Sequence, residues 1–279
     1  MGPKQLTREM RALFYVASIL VLIIGIPLFL LSDQTQIFFA WTIKSSLTAA
    51  FLGGSYWSAF VLEFLSARER LWVNARPAVH AVFCFTALTL VVTLVHLDKF
   101  HLNAPLFITV AGTWMWLGVY AVVPMIMVVL WVLQSRSPGA APARNAPLPM
   151  WMRGIGALNT AVLLVLGLLL LLLADSMQPL WPWALTALTA RAIGAWLIGL
   201  GVATGQVVWD NDLRRARAVM TSAIAFGVLQ FIALARYGNE INWGAANAWL
   251  YAAFLVDFLV VGVYGAMRAW AIRDALQAQ

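Results

Sequence analysis

Residues 10–41 read MRALFYVASILVLIIGIPLFLLSDQTQIFFAW, and residues 152–183 read MRGIGALNTAVLLVLGLLLLLLADSMQPLWPW. Both begin with Met-Arg and run apolar for about the 20 residues a helix needs to cross a hydrocarbon core. Both then leave the run through Asp, Gln and Trp. Met10 and Arg11 align with Met152 and Arg153, Gly25 with Gly167 and Leu31 with Leu173; Asp33, Gln36 and Trp41 align with Asp175, Gln178 and Trp183, all at an offset of 142. After a one-residue slip the match continues at 141, with Leu47-Thr48-Ala49 against Leu188-Thr189-Ala190, Gly53 against Gly194 and Ala75-Arg76 against Ala216-Arg217. Single matches between apolar helices are cheap. An ordered series that includes Arg, Asp, Gln, Trp and Thr marks an internal duplication.

Working outward, the chain is 63% hydrophobic and 10% charged, with a mean hydropathy of +0.85. A water-facing surface needs about 25% charged residues, and lipid offers the backbone no hydrogen-bond partners, so such runs are helices. The reading is an all-α integral membrane protein with spans at 12–31, 47–65, 77–97, 105–134, 155–174, 188–209, 218–236 and 246–267. These eight transmembrane helices divide into two parallel four-helix repeats (4+4), residues 1–134 and 151–279, joined by a Pro/Ala-rich linker at 135–150. The first span resembles a signal peptide only in its basic flank, because its apolar run is too long and no clean cleavage site follows it.

A net charge of +7 reads as positive-inside bias rather than as nucleic-acid binding. Of the 18 Lys and Arg residues, 14 fall on one side, at Lys4, Arg8, Arg11, Arg68, Arg70, Arg76, Arg136, Arg144, Arg153, Arg214, Arg215, Arg217, Arg268 and Arg273. Lys44, Lys99, Arg191 and Arg236 fall on the other, which places both termini in the cytoplasm. Trp41, Trp72, Trp181, Trp183, Trp209 and Trp243 lie near span ends, as an interfacial belt would. Cys84, the single cysteine, closes no intrachain disulfide.

The outer segments repeat a pattern, Asp33, Gln36, IFFAW and Thr48 against Asp175, Gln178, LWPW and Thr189. Thr48 and Thr189 suit helix N-caps. The aromatic stretches read first as interfacial anchors and second as re-entrant lids over a vestibule. Arg191 stands level with Asp175 and Arg236 with Glu240, which suggests outer ion pairs. His96, Asp98, Lys99 and His101 crowd one loop but lack the spacing of a zinc site.

Ionisable residues inside spans are functional candidates because each is costly there. Asp257 lies about 16 Å into the last span at 1.5 Å per residue, and reads either as a proton- or cation-binding carboxylate or as a structural hydrogen-bonding group. Glu63 and His80, on adjacent antiparallel spans, share a depth and form a second candidate as a pair. Their counterparts, Thr204 and Thr221, are neutral. Arg76 and Arg217, matched between the halves, read as anchors to lipid headgroups.

Several chemistries find no support. His80, His96 and His101 do not sit on facing helices as a bis-histidine haem requires, no lysine lies mid-span, and neither a GxxxxGK[ST] loop nor HExxH occurs. No cofactor is implied. FFAWTIKSSLTAAFLGG (38–54) and WALTALTARAIGAW (183–196) resemble stretches of uncharacterised multi-pass bacterial membrane proteins. That resemblance implies a prokaryotic inner membrane location and no activity.

The leading expectation is transport or conduction of a small solute or ion, with Asp257 as the buried carboxylate. The alternative is a non-catalytic membrane subunit or lipid-binding scaffold. Its partners would be the lipid bilayer, other membrane subunits or further copies of the chain, and small residues such as Gly201 and Gly205 would admit a close helix. A lipid-modifying enzyme ranks third, since no nucleophile–base pair stands out.

Overall fold

The computed structural model describes residues 2–277, with side chains through Ile272; the expectation for Arg273 lies outside the described side chains. Among the described residues the regular structure is helical, with no strand beyond isolated bridges. The order is α1 (Arg8–Leu30), α2 (Thr35–Phe38), α3 (Ser46–Ala67), α4 (Trp72–Val95), α5 (Phe107–Arg136), α6 (Met150–Leu172), α7 (Ala174–Met177), α8 (Ala187–Asp210), α9 (Leu213–Tyr237) and α10 (Ala246–Gln277).

Seven helices among the described residues, α1, α4, α5, α6, α8, α9 and α10, are long and apolar enough to cross a membrane. The remaining span read from the sequence corresponds to α3, which matches them in length at 22 residues but is more polar. The reason is its position. Most of its residues are buried in protein, so its serines answer to neighbouring helices and to its own carbonyls rather than to lipid; Ser55 and Ser58, for example, donate to Phe51 O and Ser55 O at 2.8 and 2.7 Å.

Two close helix pairs form the base of the fold, α1 on α3 and α6 on α8. Glycines permit the approach. A Cβ on Gly53 would lie 2.5 Å from Phe29 N, and one on Gly194 would lie 2.7 Å from Gly167 O. Without a water-driven hydrophobic effect in lipid, such backbone proximity supplies the dispersion contact that holds helices together. α4 then packs on α8 and α3 on α9, so α3, α4, α8 and α9 form a seam where the first half of the chain meets the second.

The aromatic residues of the segments after α2 and α7 pack into the protein. Phe39, Trp41, Trp181 and Trp183 are buried, as is Trp72, whereas Trp209 and Trp243 are exposed. The interfacial-belt expectation is therefore corrected for the buried tryptophans. Trp41 makes an edge contact with Trp116 (4.9 Å) and Trp183 with Tyr251 (5.1 Å), geometries worth about 0.5–1.5 kcal/mol each beyond area burial. The capping assignment shifts as well. Ser45 caps α3 and Thr186 caps α8, each three residues earlier than expected, and Thr48 and Thr189 occupy the N3 positions.

The linker at 135–150 is tied down. Ala140 N donates to Gly2 O at 3.2 Å, Leu213 N to Ala146 O at 2.7 Å and Leu148 N to Asn211 Oδ1 at 3.1 Å. The bond to Ala146 repeats one at the start of the chain, where Trp72 N donates to Lys4 O at 3.1 Å.

Candidate site at the seam between the two halves of the chain

At the basic end of the seam, Arg76 pairs with Asp210 and Arg217 with Glu69. Arg76 and Arg217, read from the sequence as headgroup anchors, are both engaged by carboxylates from the other half of the chain. Arg217 also lies 4.5 Å over the Trp270 ring. The two pairs are reciprocal, since Arg76 and Arg217 stand 141 residues apart and so do Glu69 and Asp210. Each pair joins one half of the chain to the other. Asn74 Nδ2 donates to Glu69 Oε2 at 2.9 Å and Arg11 to Glu69 O at 3.1 Å. Nearby, Asp212 caps α9 by accepting from Arg214 N at 3.0 Å. Burial works to raise its pKa, but the side-chain bond from Arg214 and the backbone donors outweigh burial and hold it below the ordinary carboxylate range.

Deeper in the seam lie two small cavities. One, of about 60 Å³, is walled by α1, α3, α4, α5, α8 and α9 and includes Glu63, Thr86, Tyr120 and Ser222. The other, of about 40 Å³, is walled mainly by α6, α8, α9 and α10 and includes Asn159 and Thr204. Glu63 and Thr204 are the sequence-matched positions, so at that point one cavity carries a carboxyl and the other a hydroxyl. Glu63 is 2% exposed, and its Oε2 is buried with no hydrogen-bond partner among the described residues.

The expected Glu63–His80 pair does not form. His80 Nδ1 bonds Gln206 Oε1 at 2.9 Å and its ring stacks on Trp131 at 4.9 Å, because the imidazole turns away from α3 toward α8 and α5. On the same side as Glu63, Tyr56 and Tyr120 share a 2.5 Å hydroxyl–hydroxyl bond.

Asp257 is half-buried on α10 and accepts from Asn159 Nδ2 of α6 at 2.6 Å. Its neighbours Val256 and Val260 are exposed. Asn159 is 8% exposed and lines the smaller cavity, so this carboxyl adjoins that cavity from the α10 side.

At the opposite end, Trp183 Nε1 donates to Thr48 Oγ1 at 2.8 Å, a further link between the halves. Asp33 and Gln36 are exposed, while Gln178 Nε2 donates to Asp175 Oδ1 at 3.1 Å. The expected Arg191–Asp175 pair is replaced: Arg191 Nη1 donates to His96 Nε2 at 2.8 Å and its Nε to Leu171 O at 3.2 Å. Burial first, and the Arg191 charge second, lower the His96 pKa. His101 turns to Thr42 Oγ1 (3.0 Å) and Phe39 O (3.1 Å).

The expected Arg236–Glu240 pair is also replaced. Arg236 donates to Phe29 O and lies 4.8 Å over the Tyr237 ring. Glu240 instead accepts from Ser45 Oγ at 2.5 Å and Leu47 N at 3.1 Å, capping α3 from the other half of the chain. A carboxylate at a helix N-terminus satisfies free donors and complements the dipole. Replacing Glu240 by alanine is therefore expected to cost about 1–2 kcal/mol, read as a lower thermal midpoint in detergent; an unchanged midpoint would show that water replaces the cap without loss.

Sequence reasoning missed Glu69, Asp210, Asn159, Gln206 and the Tyr56–Tyr120 bond. For Glu69 and Asp210 a signal existed, because two acids sit at matched positions of the duplication. No such signal marks Asn159, whose matched residue is Ala17. No protein-family model matches the chain, and no curated protein or solved structure is similar to it at a significant level.

Proposed function

We propose that this is a bacterial inner-membrane protein that moves a small solute or ion along the seam, with Glu63 rather than Asp257 as the carboxyl that binds a proton or cation. The observation that carries the reading is Glu63 itself, a buried acid with an unpartnered oxygen in a cavity between the two halves of the chain. Acids kept at such cost inside membrane proteins commonly serve ion pathways. Asp257 is less suited, because its hydrogen bond from Asn159 is already made whereas an oxygen of Glu63 has none.

In this reading α3 is the eighth span, and residues 1–134 and 151–279 are parallel repeats related by a two-fold axis along the membrane normal, with 135–150 between them. Support comes from the reciprocal ion pairs. A residue of one unit that meets a second position on its partner, while that position meets the first in return, is the signature of two-fold packing. Parallel repeats of this kind place substrate sites at their interface. The basic end would face the cytoplasm with both termini, and the aromatic segments at Trp41 and Trp183 would close the outer end.

Infrared spectroscopy of the carboxyl band in reconstituted protein tests the role of Glu63. A band that disappears in Glu63→Gln, persists in Asp257→Asn and titrates reversibly with pH is expected. A Glu63 band that never responds to pH would mean a sealed group and end the transport reading.

A second reading, a membrane subunit that docks on other chains or on further copies of itself, is favoured by the Asn159–Asp257 pair. Asp257 is half-buried beside the exposed Val256 and Val260, a face that a partner helix would cover. Asp257→Leu would then weaken assembly, visible as a shift to smaller particles by native mass spectrometry, and leave Glu63-dependent titration unchanged.

A further inference from the structure

At the basic end, the α3–α4 loop, the first turns of α4 and α9, the linker at Pro142 and Ala269 of α10 enclose a cavity of about 480 Å³. Its wall carries Arg68, Arg70, Arg214, Arg215 and Arg217 against one carboxylate, Glu69. That carboxylate is engaged by Arg217 and Asn74, and Arg214 is engaged by Asp212 at 2.8 Å. Arg215, only 5% exposed, donates to Pro142 O at 2.6 Å and makes longer ion pairs with Asp210 and Asp212 at 3.7 and 3.8 Å. Arg68 and Arg70 are exposed and make no ion pair among the described residues; Arg68 lies 5.7 Å over the Phe64 ring.

The charges at Arg214 and Arg215 are specific to the second half. Val73 and Asn74 match Arg214 and Arg215 at an offset of 141, and all four line the cavity. The cavity thus sits where the two halves face each other, and one half supplies guanidiniums where the other has an apolar and a neutral side chain. Like charges gathered around a concavity with low-dielectric walls focus a positive potential. Guanidinium forks match the oxygens of a phosphate group in a bidentate fashion, and basic cavities between membrane helices take phosphate headgroups.

We infer that this cavity binds a phosphate-bearing anion, with Arg215 at its back and Arg68 and Arg70 as the contacts that close over the ligand. The site does not depend on the transport reading, since a regulatory or structural anion would use the same donors.

The test uses full-length protein and the double variant Arg68→Gln/Arg70→Gln, whose two side chains lie outside every ion pair described, so an unchanged melting midpoint without ligand serves as the folding control. In phosphatidylcholine nanodiscs, inorganic phosphate is expected to raise the midpoint of the wild type more than chloride at equal ionic strength. The variant is expected to need at least about tenfold more phosphate for the same shift. A lipid source gives a different pattern: phosphate has no effect, and native mass spectrometry finds phosphatidylglycerol retained by the wild type and lost from the variant. The inference is overturned if neither probe distinguishes the two proteins, which includes a phosphate shift that chloride reproduces. Should the double variant not fold, Arg70→Gln alone carries the same comparison.

Discussion

Replacing Asp210 by alanine is expected to destabilise the protein by about 3–5 kcal/mol, the cost of breaking a buried ion pair from one side. Asp210 is fully buried, paired with Arg76 and close to Arg215, whose side chain is only 5% exposed. Removing the carboxylate leaves two guanidiniums at the seam with one anion fewer, and they cannot both reach water without opening the contact between α4 and α8. Glu69→Gln should act in the same direction through Arg217, but less strongly, because the Glu69 side chain is 12% exposed. A double-mutant cycle with Arg217→Gln separates pairing from general disruption: if the pair is real, the double variant is less destabilised than the sum of the singles. Equilibrium unfolding in mixed micelles reads the effect. A loss below about 1 kcal/mol for Asp210→Ala, the range of exposed pairs, would mean that this end of the seam is wet.

The second large effect is expected at the glycines that let α1 approach α3 and α6 approach α8. Gly53→Val places new atoms against Phe29 N and Leu28 C, where a Cβ alone would already be 2.5 and 2.8 Å away. Gly194→Val meets Gly167 O and Leu171 N at 2.7 and 3.0 Å. These obstacles are backbone atoms, so no rotamer change relieves them and the helices must part. Overpacking usually costs about 1–3 kcal/mol when side chains can adjust; here the upper end or more is expected, seen as loss of folded protein in detergent extracts or a midpoint lowered by many degrees. Gly112→Val on α5, where a Cβ meets nothing within 4 Å, is the control and should extract normally. Equal behaviour of Gly53→Val and Gly112→Val would show that the α1–α3 contact is looser than the structure has it.

Both predictions rest on features that were only partly legible in the sequence. The offset aligned Gly25 with Gly167 and Gly53 with Gly194 but did not say that Gly167 meets Gly194 while Gly25 faces Trp57. It aligned Arg76 with Arg217, and these were assigned to lipid because a basic residue near a span end usually faces headgroups. Their true partners, Asp210 and Glu69, lie more than 130 residues away in the chain. The same limit explains the outer ion pairs, where Arg191 and Arg236 were given their nearest acids and instead found His96 and a backbone carbonyl. Proximity in sequence is a poor guide once loops from different helices interleave.

Glu63 shows the opposite balance. Its rarity inside an apolar run identified it, and the structure changed only its company, sending His80 to Gln206 and leaving the acid at a small cavity. Asp257 was marked by the same rule and was placed at the centre because depth along a helix is readable from residue count, whereas the direction in which a side chain points is not.

Local chain chemistry alone determined helicity and the approximate ends of the long helices, because apolar length and the need to satisfy backbone donors act on each segment separately. Tertiary structure decided which glycines touch, which arginines pair, that Trp41 and Trp183 are buried and that Asp257 bonds Asn159. Those outcomes depend on how one helix is rotated against another, and that rotation is set by contacts between residues far apart in the chain, which no single segment encodes.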